Sequence, residues 1–225
     1  MNKIFIFFIA STFIFSGFAT FAYSNQNKVI ESKINCIDEY DLVIIAPDEF
    51  SSEIQPLVEH KNNFNVKTIL KTTEEIYSSY EGRDSSEKIK YFIKDALETW
   101  NTKYVLLMGG RKLLSENWYV PVRYSQLDDG FGNPEFLSDL YFADIYKEGG
   151  EFEDWDSNGN NIFGEWGFNG DKLDLVPDIS VGRLPCRTKD EVKTVVNKII
   201  FYETNTFGKS WWQRIHHLSR HVFQS

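Results

Sequence analysis

The chain has 225 residues, 42% hydrophobic and 16% aromatic, with a formal charge of −9 at pH 7. That composition builds a packed core and excludes a disordered or collagen-like chain. The acidic excess argues against nucleic-acid binding and against anionic membrane surfaces, and suits a protein that attracts cations.

Lys3 precedes an apolar run, Ile4 to Phe15, and smaller residues ending Ala22-Tyr23-Ser24. A positive start, an apolar stretch and a small-x-small site read as a signal peptide over residues 1–24. The alternative is an uncleaved anchor, since Ile4 to Ala22 is almost long enough to span a bilayer. Ser11, Thr12, Ser16 and Gly17 dilute that stretch and favour removal. No cysteine marks the cleavage site, which speaks against a lipoprotein. The expected location is secreted or extracytoplasmic, with no membrane association after removal. Lys3 is the only charge in this segment, so the rest carries −10. Cys36 and Cys186 remain; an exported chain could join them, or both could be free thiols.

After a polar lead-in over 25–40, Asp41-Leu-Val-Ile-Ile-Ala-Pro47 reads as a buried strand stopped by proline. Residues 52–63 look helical, with His60 a surface residue, and Asn65 to Leu70 offers a second strand. Thr72 and Glu75 have capping-box spacing for a short helix. Asp84 and Glu87 open the next helix, in which Ile89, Phe92, Ile93, Ala96, Leu97 and Trp100 share one face. Tyr104-Val-Leu-Leu-Met108 is a third strand, closed by Gly109-Gly110. Alternating helices and continuously apolar strands predict a parallel sheet covered on both faces. Residues 111–177 are aromatic, acidic and rich in glycine and asparagine, with Tyr119–Tyr124 and Leu140–Tyr146 as candidate short strands. Ile179-Ser-Val181 is a further strand. Thr188 and Glu191 then cap a helix that buries Val192, Val195, Val196, Ile199 and Ile200. Sites in such sheets lie beyond the carboxyl ends of the strands, which places residues 109–135 near any pocket.

The most specific motif is Asp154-Trp-Asp156-Ser-Asn158-Gly159-Asn160-Asn-Ile-Phe-Gly-Glu165. It matches the calcium-loop pattern D-x-[DN]-x-[DN]-G-x5-E at every fixed position. Calcium takes six to eight hard oxygens, so alternate residues of a tight loop would supply Asp154, Asp156 and Asn158. Gly159 permits the sharp turn, the Asn160 carbonyl adds an oxygen and Glu165 closes the shell. The alternative is a solvated Asp/Asn-Gly turn without an ion. The flanks carry no helical pattern, so Ca2+ would organise a long loop rather than open a helix pair. Asp128, Asp129, Asp139, Asp144, Asp171, Asp174 and Asp178 could frame a second ion, but turn caps and solvated carboxylates are the better reading of each.

Catalytic candidates are poor. His217 and His221 have the spacing of a zinc pair, but position 218 is leucine where a metalloprotease needs glutamate; His216 adds nothing to that pattern. Gly208-Lys209-Ser210 resembles the end of a phosphate loop, but Glu203 stands where its first glycine belongs. Neither cysteine lies in a Gly-rich strand-end turn that would present a nucleophile.

Three stretches in order, Ser138-Asp-Leu-Tyr-Phe-Ala-Asp144, the calcium loop and Pro177-Asp-Ile-Ser-Val-Gly-Arg-Leu-Pro185, resemble the gingipain-type cysteine peptidases from about residue 41 to residue 212. The resemblance implies a caspase-like three-layer α/β fold, with residues 41–207 as the first subdomain, a mostly parallel sheet and a long calcium-binding insertion. It implies secretion, structural calcium, and protein or peptide substrates once a second subdomain is supplied. The family's catalytic His-Gly and cysteine lie beyond the equivalent of residue 212, so no catalytic residue carries over to this chain. Residues 208–225 would start a truncated second subdomain, and the tail Arg214-Ile-His-His-Leu-Ser-Arg-His-Val-Phe-Gln-Ser225 departs from the apolar, glycine-containing strand expected there. A frameshift or premature stop is the expected cause. Two readings follow: a truncated endopeptidase without its own dyad, and a secreted calcium-stabilised binding module without enzymatic activity.

Overall fold

The computed structural model describes residues 39–127, 135–167, 170–206 and 208–210, all in the unit that begins at Glu39. The expected signal peptide, residues 25–38 with Cys36, Asp128, Asp129, and the tail with His216, His217 and His221 lie outside the described residues. Strands β1 (Leu42–Ala46), β2 (Thr68–Thr72), β3 (Tyr104–Met108) and β6 (Ser180–Leu184) form one parallel sheet in the order β2-β1-β3-β6. Leu42 pairs with Thr68 on one side and Tyr104 on the other, and Tyr104 pairs with Ser180. Parallel pairing needs long crossovers, and the helices α1 (Ser51–Asn63), α2 (Thr73–Ser79), α3 (Ser85–Trp100) and α4 (Lys189–Asn205) lie along the chain between and after these strands.

Period-two alternation sends β1 into two cores. Val43 and Ile45 join Val105, Leu107 and the α3 residues Ile89, Phe92, Ile93 and Ala96. Leu42, Ile44 and Ala46 pack with Met108, Ile54 and Leu57 of α1, and Val192 and Val196 of α4. All five β1 residues are buried, as a strand covered on both faces requires. The caps work as their spacing predicts: the Thr72 hydroxyl, the Asp84 carboxylate and the Thr188 hydroxyl each accept the backbone N–H three residues on.

Three local expectations change. β2 starts at Thr68 rather than Asn65, because Asn65 is left-handed (φ 61°) and Asn62 closes the corner by accepting the Thr68 N–H at 2.8 Å. Leu140–Tyr146 is not a strand: Asp139–Phe142 is a 3-10 turn that buries Tyr141 and Phe142 together, and a strand would send those neighbours to opposite faces. Of Tyr119–Tyr124 only the end is extended, in β4 (Arg123–Gln126), which pairs antiparallel with the unforeseen β5 (Glu135–Ser138). His60 is also not a free surface residue. Its side chain is 9% exposed and meets Glu203 of α4 at 2.9 Å. Among the described residues no helix is long and apolar enough to cross a membrane.

Ile45 is fully buried at the centre of the sheet. Ile45→Ala is expected to lower unfolding free energy by about 2–5 kcal/mol in urea denaturation, the range for emptying a well-packed site.

Candidate functional site

The order of the sheet reverses between β1 and β3, and such a reversal opens a crevice beyond the carboxyl ends of the strands. Here a cleft of 470 Å³ has Glu49, Glu74, Lys112, Trp118, Tyr119 and Tyr124 among its lining residues. The loop after β3 that brings Tyr119 into this lining is tied by backbone bonds. Gly109 N–H donates to the Leu184 carbonyl at 3.0 Å, Gly110 N–H to Cys186 at 2.8 Å and Tyr119 N–H to Gly110 at 2.9 Å. A Cβ on Gly110 would run into the Pro185 carbonyl, so the backbones approach only because that residue is glycine.

Arg183 of β6 ties this end together. Its Nε and Nη2 grip both Asp139 oxygens at 2.7 and 2.8 Å. Nη1 donates to the carbonyls of Gly109 and Val120 at 2.9 and 2.8 Å, and Nη2 to that of Pro121 at 2.8 Å. One side chain therefore fixes β6, the loop after β3 and the 3-10 turn. Only a planar fork with five donors can do this. The residue lies within the Pro-Asp-x-x-Val-Gly-Arg-Leu-Pro stretch that sequence reading singled out, though its bonds were not legible there.

The described histidine and cysteine do not meet. His60 ends α1 near the start of β2, bonded to Glu203, whereas Cys186 follows the carboxyl end of β6. Burial pushes the Cys186 thiol up, and Glu191 adds to that, so the thiolate a nucleophile needs is disfavoured. Burial also pushes Glu203 up, but Lys61 at 2.5 Å and His60 outweigh it and hold the carboxyl below its usual range.

The loop Asp154–Glu165 is docked onto α3 by Arg83. That guanidinium donates to Glu87 at 2.8 and 2.6 Å, to Asp156 Oδ2 at 2.6 Å and to Asp154 Oδ2 at 2.9 Å. These bonds, Glu87 foremost, outweigh burial and make Arg83 hold its proton more firmly than usual. Phe163 receives Arg83 at 4.6 Å and Arg123 at 3.8 Å from its ring centre.

Inside the loop a repeat of two begins at Asp154, whose Oδ1 accepts the N–H of Asp156 at 3.3 Å. The Asp156 carboxylate accepts the N–H of Asn160 at 2.9 Å and of Asn161 at 3.2 Å. Asn158 Oδ1 accepts from Asn160 N–H, and Asn160 Oδ1 from Ile162 N–H, at 3.1 and 2.8 Å. Both asparagine amides reach Glu165 Oε2, at 3.1 and 2.8 Å. Gly159 and Asn161 take the left-handed conformation at φ 74° and 63°. Asp154, Asp156, Asn158, Asn160 and Glu165 are thus linked, the last three through Glu165 Oε2, while Arg83 holds one oxygen of each aspartate.

The other candidate acids have separate tasks. Asp171 accepts from Glu165 N–H at 2.9 Å and Ser157 Oγ at 3.2 Å. Asp178 accepts from Ile145 and Tyr146 N–H at 2.7 and 2.9 Å, and Asp174 from Val176 N–H at 3.0 Å. Asp144 takes the Trp155 indole at 2.8 Å. Among the described residues no three Asp, Glu, His or Cys side chains gather as one metal cluster. An ion in the loop would therefore depend on the asparagine oxygens, freed by rotating their amides. With those oxygens the set fits a hard cation.

A parallel α/β sheet with helices on both faces, a latched carboxyl end and a long insertion before its last strand defines the class. The sequence model described as "Peptidase family C25" matches residues 38–223, and the chain belongs to that family. Gingipain R2 of Porphyromonas gingivalis is 23% identical over 173 residues, 76% of this chain and 18% of that protein. Gingipain R1 of the same species is 22% identical over 173 residues, 76% of this chain and 13% of that protein. The chain thus spans under a fifth of the length of these curated relatives. Among solved structures, dimeric latent PorU from Porphyromonas gingivalis shares the fold at a TM-score of 0.53 and 17% identity, over 76% of this chain and 16% of that one. The fold is therefore the caspase-like α/β fold of family C25.

Arg183→Lys keeps the charge and leaves carbonyls of Gly109, Val120 and Pro121 short of donors. It is expected to cost about 2–4 kcal/mol in chemical denaturation, given the penalty for unpaired buried groups. Arg187→Lys, at an exposed ion pair, should stay within about 0.5 kcal/mol.

Proposed function

We propose that this chain is the first α/β subdomain of an exported gingipain-like cysteine endopeptidase, stabilised by structural Ca2+ and without a catalytic dyad of its own. The observation that carries the reading is the family match over residues 38–223, which takes in the sheet whose carboxyl end Arg183 ties together. The His-Gly and nucleophilic cysteine would come from polypeptide beyond the equivalent of residue 212. Protein or peptide substrates follow from the family, and export from the charged start and apolar run before Ala22-Tyr23-Ser24.

A second reading, a secreted calcium-stabilised binding module, is favoured by one observation. The described His60 and Cys186 are both committed elsewhere, one to Glu203 and one to a buried corner. Incubating the purified chain with a mixed peptide library, with and without a thiol alkylating agent, tests the absent dyad. No alkylation-sensitive cleavage is expected; cleavage abolished by alkylation would contradict it.

For calcium, the ligands would be Asp154, Asp156, Asn158, the Asn160 carbonyl and Glu165, a reading supported by the side-chain bonds that run through the loop. Arg83 holds one oxygen of each aspartate and would share them with the ion. The metal would cross-brace the insertion. At a hundredfold excess over its dissociation constant it adds about 2.7 kcal/mol to the folded state. EDTA is expected to lower the melting temperature, and Glu165→Gln and Asp154→Asn each to abolish most of that response. A melting curve indifferent to EDTA would remove calcium from the account.

A further inference from the structure

The insertion meets α3 around an unusual side chain. Lys90 is fully buried, and its Nζ has no hydrogen-bond partner. It lies 4.3 Å from the ring centre of Tyr141, 5.5 Å from that of Phe152 and 5.8 Å from that of Trp155. Asp144 is also fully buried; its Oδ2 holds the Trp155 indole, while its Oδ1 has no hydrogen-bond partner. The other charged groups around the pair are Glu153, Asp154 and Asp174 from the long insertion and Arg123 from β4. Aromatic faces attract a cation but do not replace its water, and a buried carboxylate with one free oxygen is equally short of solvation.

We infer that the contact between α3 and the insertion is a pH-sensitive seam, held least firmly near neutrality, when Lys90 and Asp144 are both charged inside it. Each charge attracts the other, yet removing two ions from water costs more than an imperfectly bonded pair returns. Burial pushes the Lys90 amine down to about 7, against the pull of Asp144 and Glu153. Burial pushes Asp144 up to about 6, opposed by the Trp155 bond and by Lys90.

The signs follow from proton counting. Between about 7 and the ordinary lysine value of 10.5 the unfolded chain binds the extra proton, so the Lys90 contribution to stability rises with pH. Between the ordinary carboxylate value of 3.8 and about 6 the folded chain binds it, so the Asp144 contribution falls as pH rises. The seam is therefore weakest from about 6 to 7 and firmer on either side.

The test is urea unfolding of the full chain from pH 5 to 10, compared with Lys90→Met, which keeps an unbranched side chain among the rings. From pH 7 to 9 the wild-type folding constant should gain on that of the variant by on the order of tenfold or more, since one proton is worth up to tenfold per pH unit. A ratio constant across the range overturns the inference. If Lys90→Met does not fold, Asp144→Asn carries the test: it keeps an acceptor for Trp155 and removes the attraction on Lys90. The alkaline gain should then begin at lower pH and the acid-side fall should disappear. A profile identical to wild type would overturn the seam as well.

Discussion

Everything at the carboxyl end of the sheet depends on one guanidinium. Arg183 spends its donors on three backbone carbonyls and a carboxylate, and those five bonds join segments that are far apart in sequence. Parallel strands cannot organise the loops beyond their ends, because their ladders satisfy only groups within the sheet. A buried charge is stable there only because every polar hydrogen finds an acceptor. The glycines at 109 and 110 let the loop come close enough for this, and Pro185 closes the other side. The result is a tied rim at the place where open α/β sheets put their chemistry, beside which Cys186 is buried with its thiol pushed up.

The insertion repeats the same logic with Arg83. That residue draws Glu87, Asp154 and Asp156 into one network, which anchors a loop with almost no regular structure onto the first turn of α3. Charge here is used for position. Asp154 and Asp156 both bond the arginine, and each also receives backbone N–H groups from its own loop, one and two respectively. In the proposed calcium site the same two carboxylates would also serve the ion, which would give the loop a scaffolding part in the protein.

The sequence disclosed whatever depends on local period and caps. β1 and β3 were legible as short β-branched or aliphatic runs, and α2, α3 and α4 from Thr72/Glu75, Asp84/Glu87 and Thr188/Glu191. What it did not disclose depends on partners distant in the chain. Leu140–Tyr146 is apolar and aromatic enough for a strand, but Arg183 holds Asp139 at the start of a 3-10 turn over Asp139–Phe142, and Asp178 accepts from the Ile145 and Tyr146 N–H groups that follow it. Nothing in the sequence singles out Lys90; the arrival of Tyr141, Phe152 and Trp155 buries it. His60 looked solvated because its partner, Glu203, lies 143 residues away. The calcium motif was visible, but that Arg83 bonds two of its carboxylates was not.

The central claim is that this polypeptide is a scaffold whose own described thiol is not a peptidase nucleophile. Incubating the folded chain with a peptidyl electrophile and reading Cys186 by mass spectrometry tests that most directly. The account predicts no adduct at Cys186 until the protein is unfolded. Rapid, peptide-dependent labelling of Cys186 in the folded chain would contradict it.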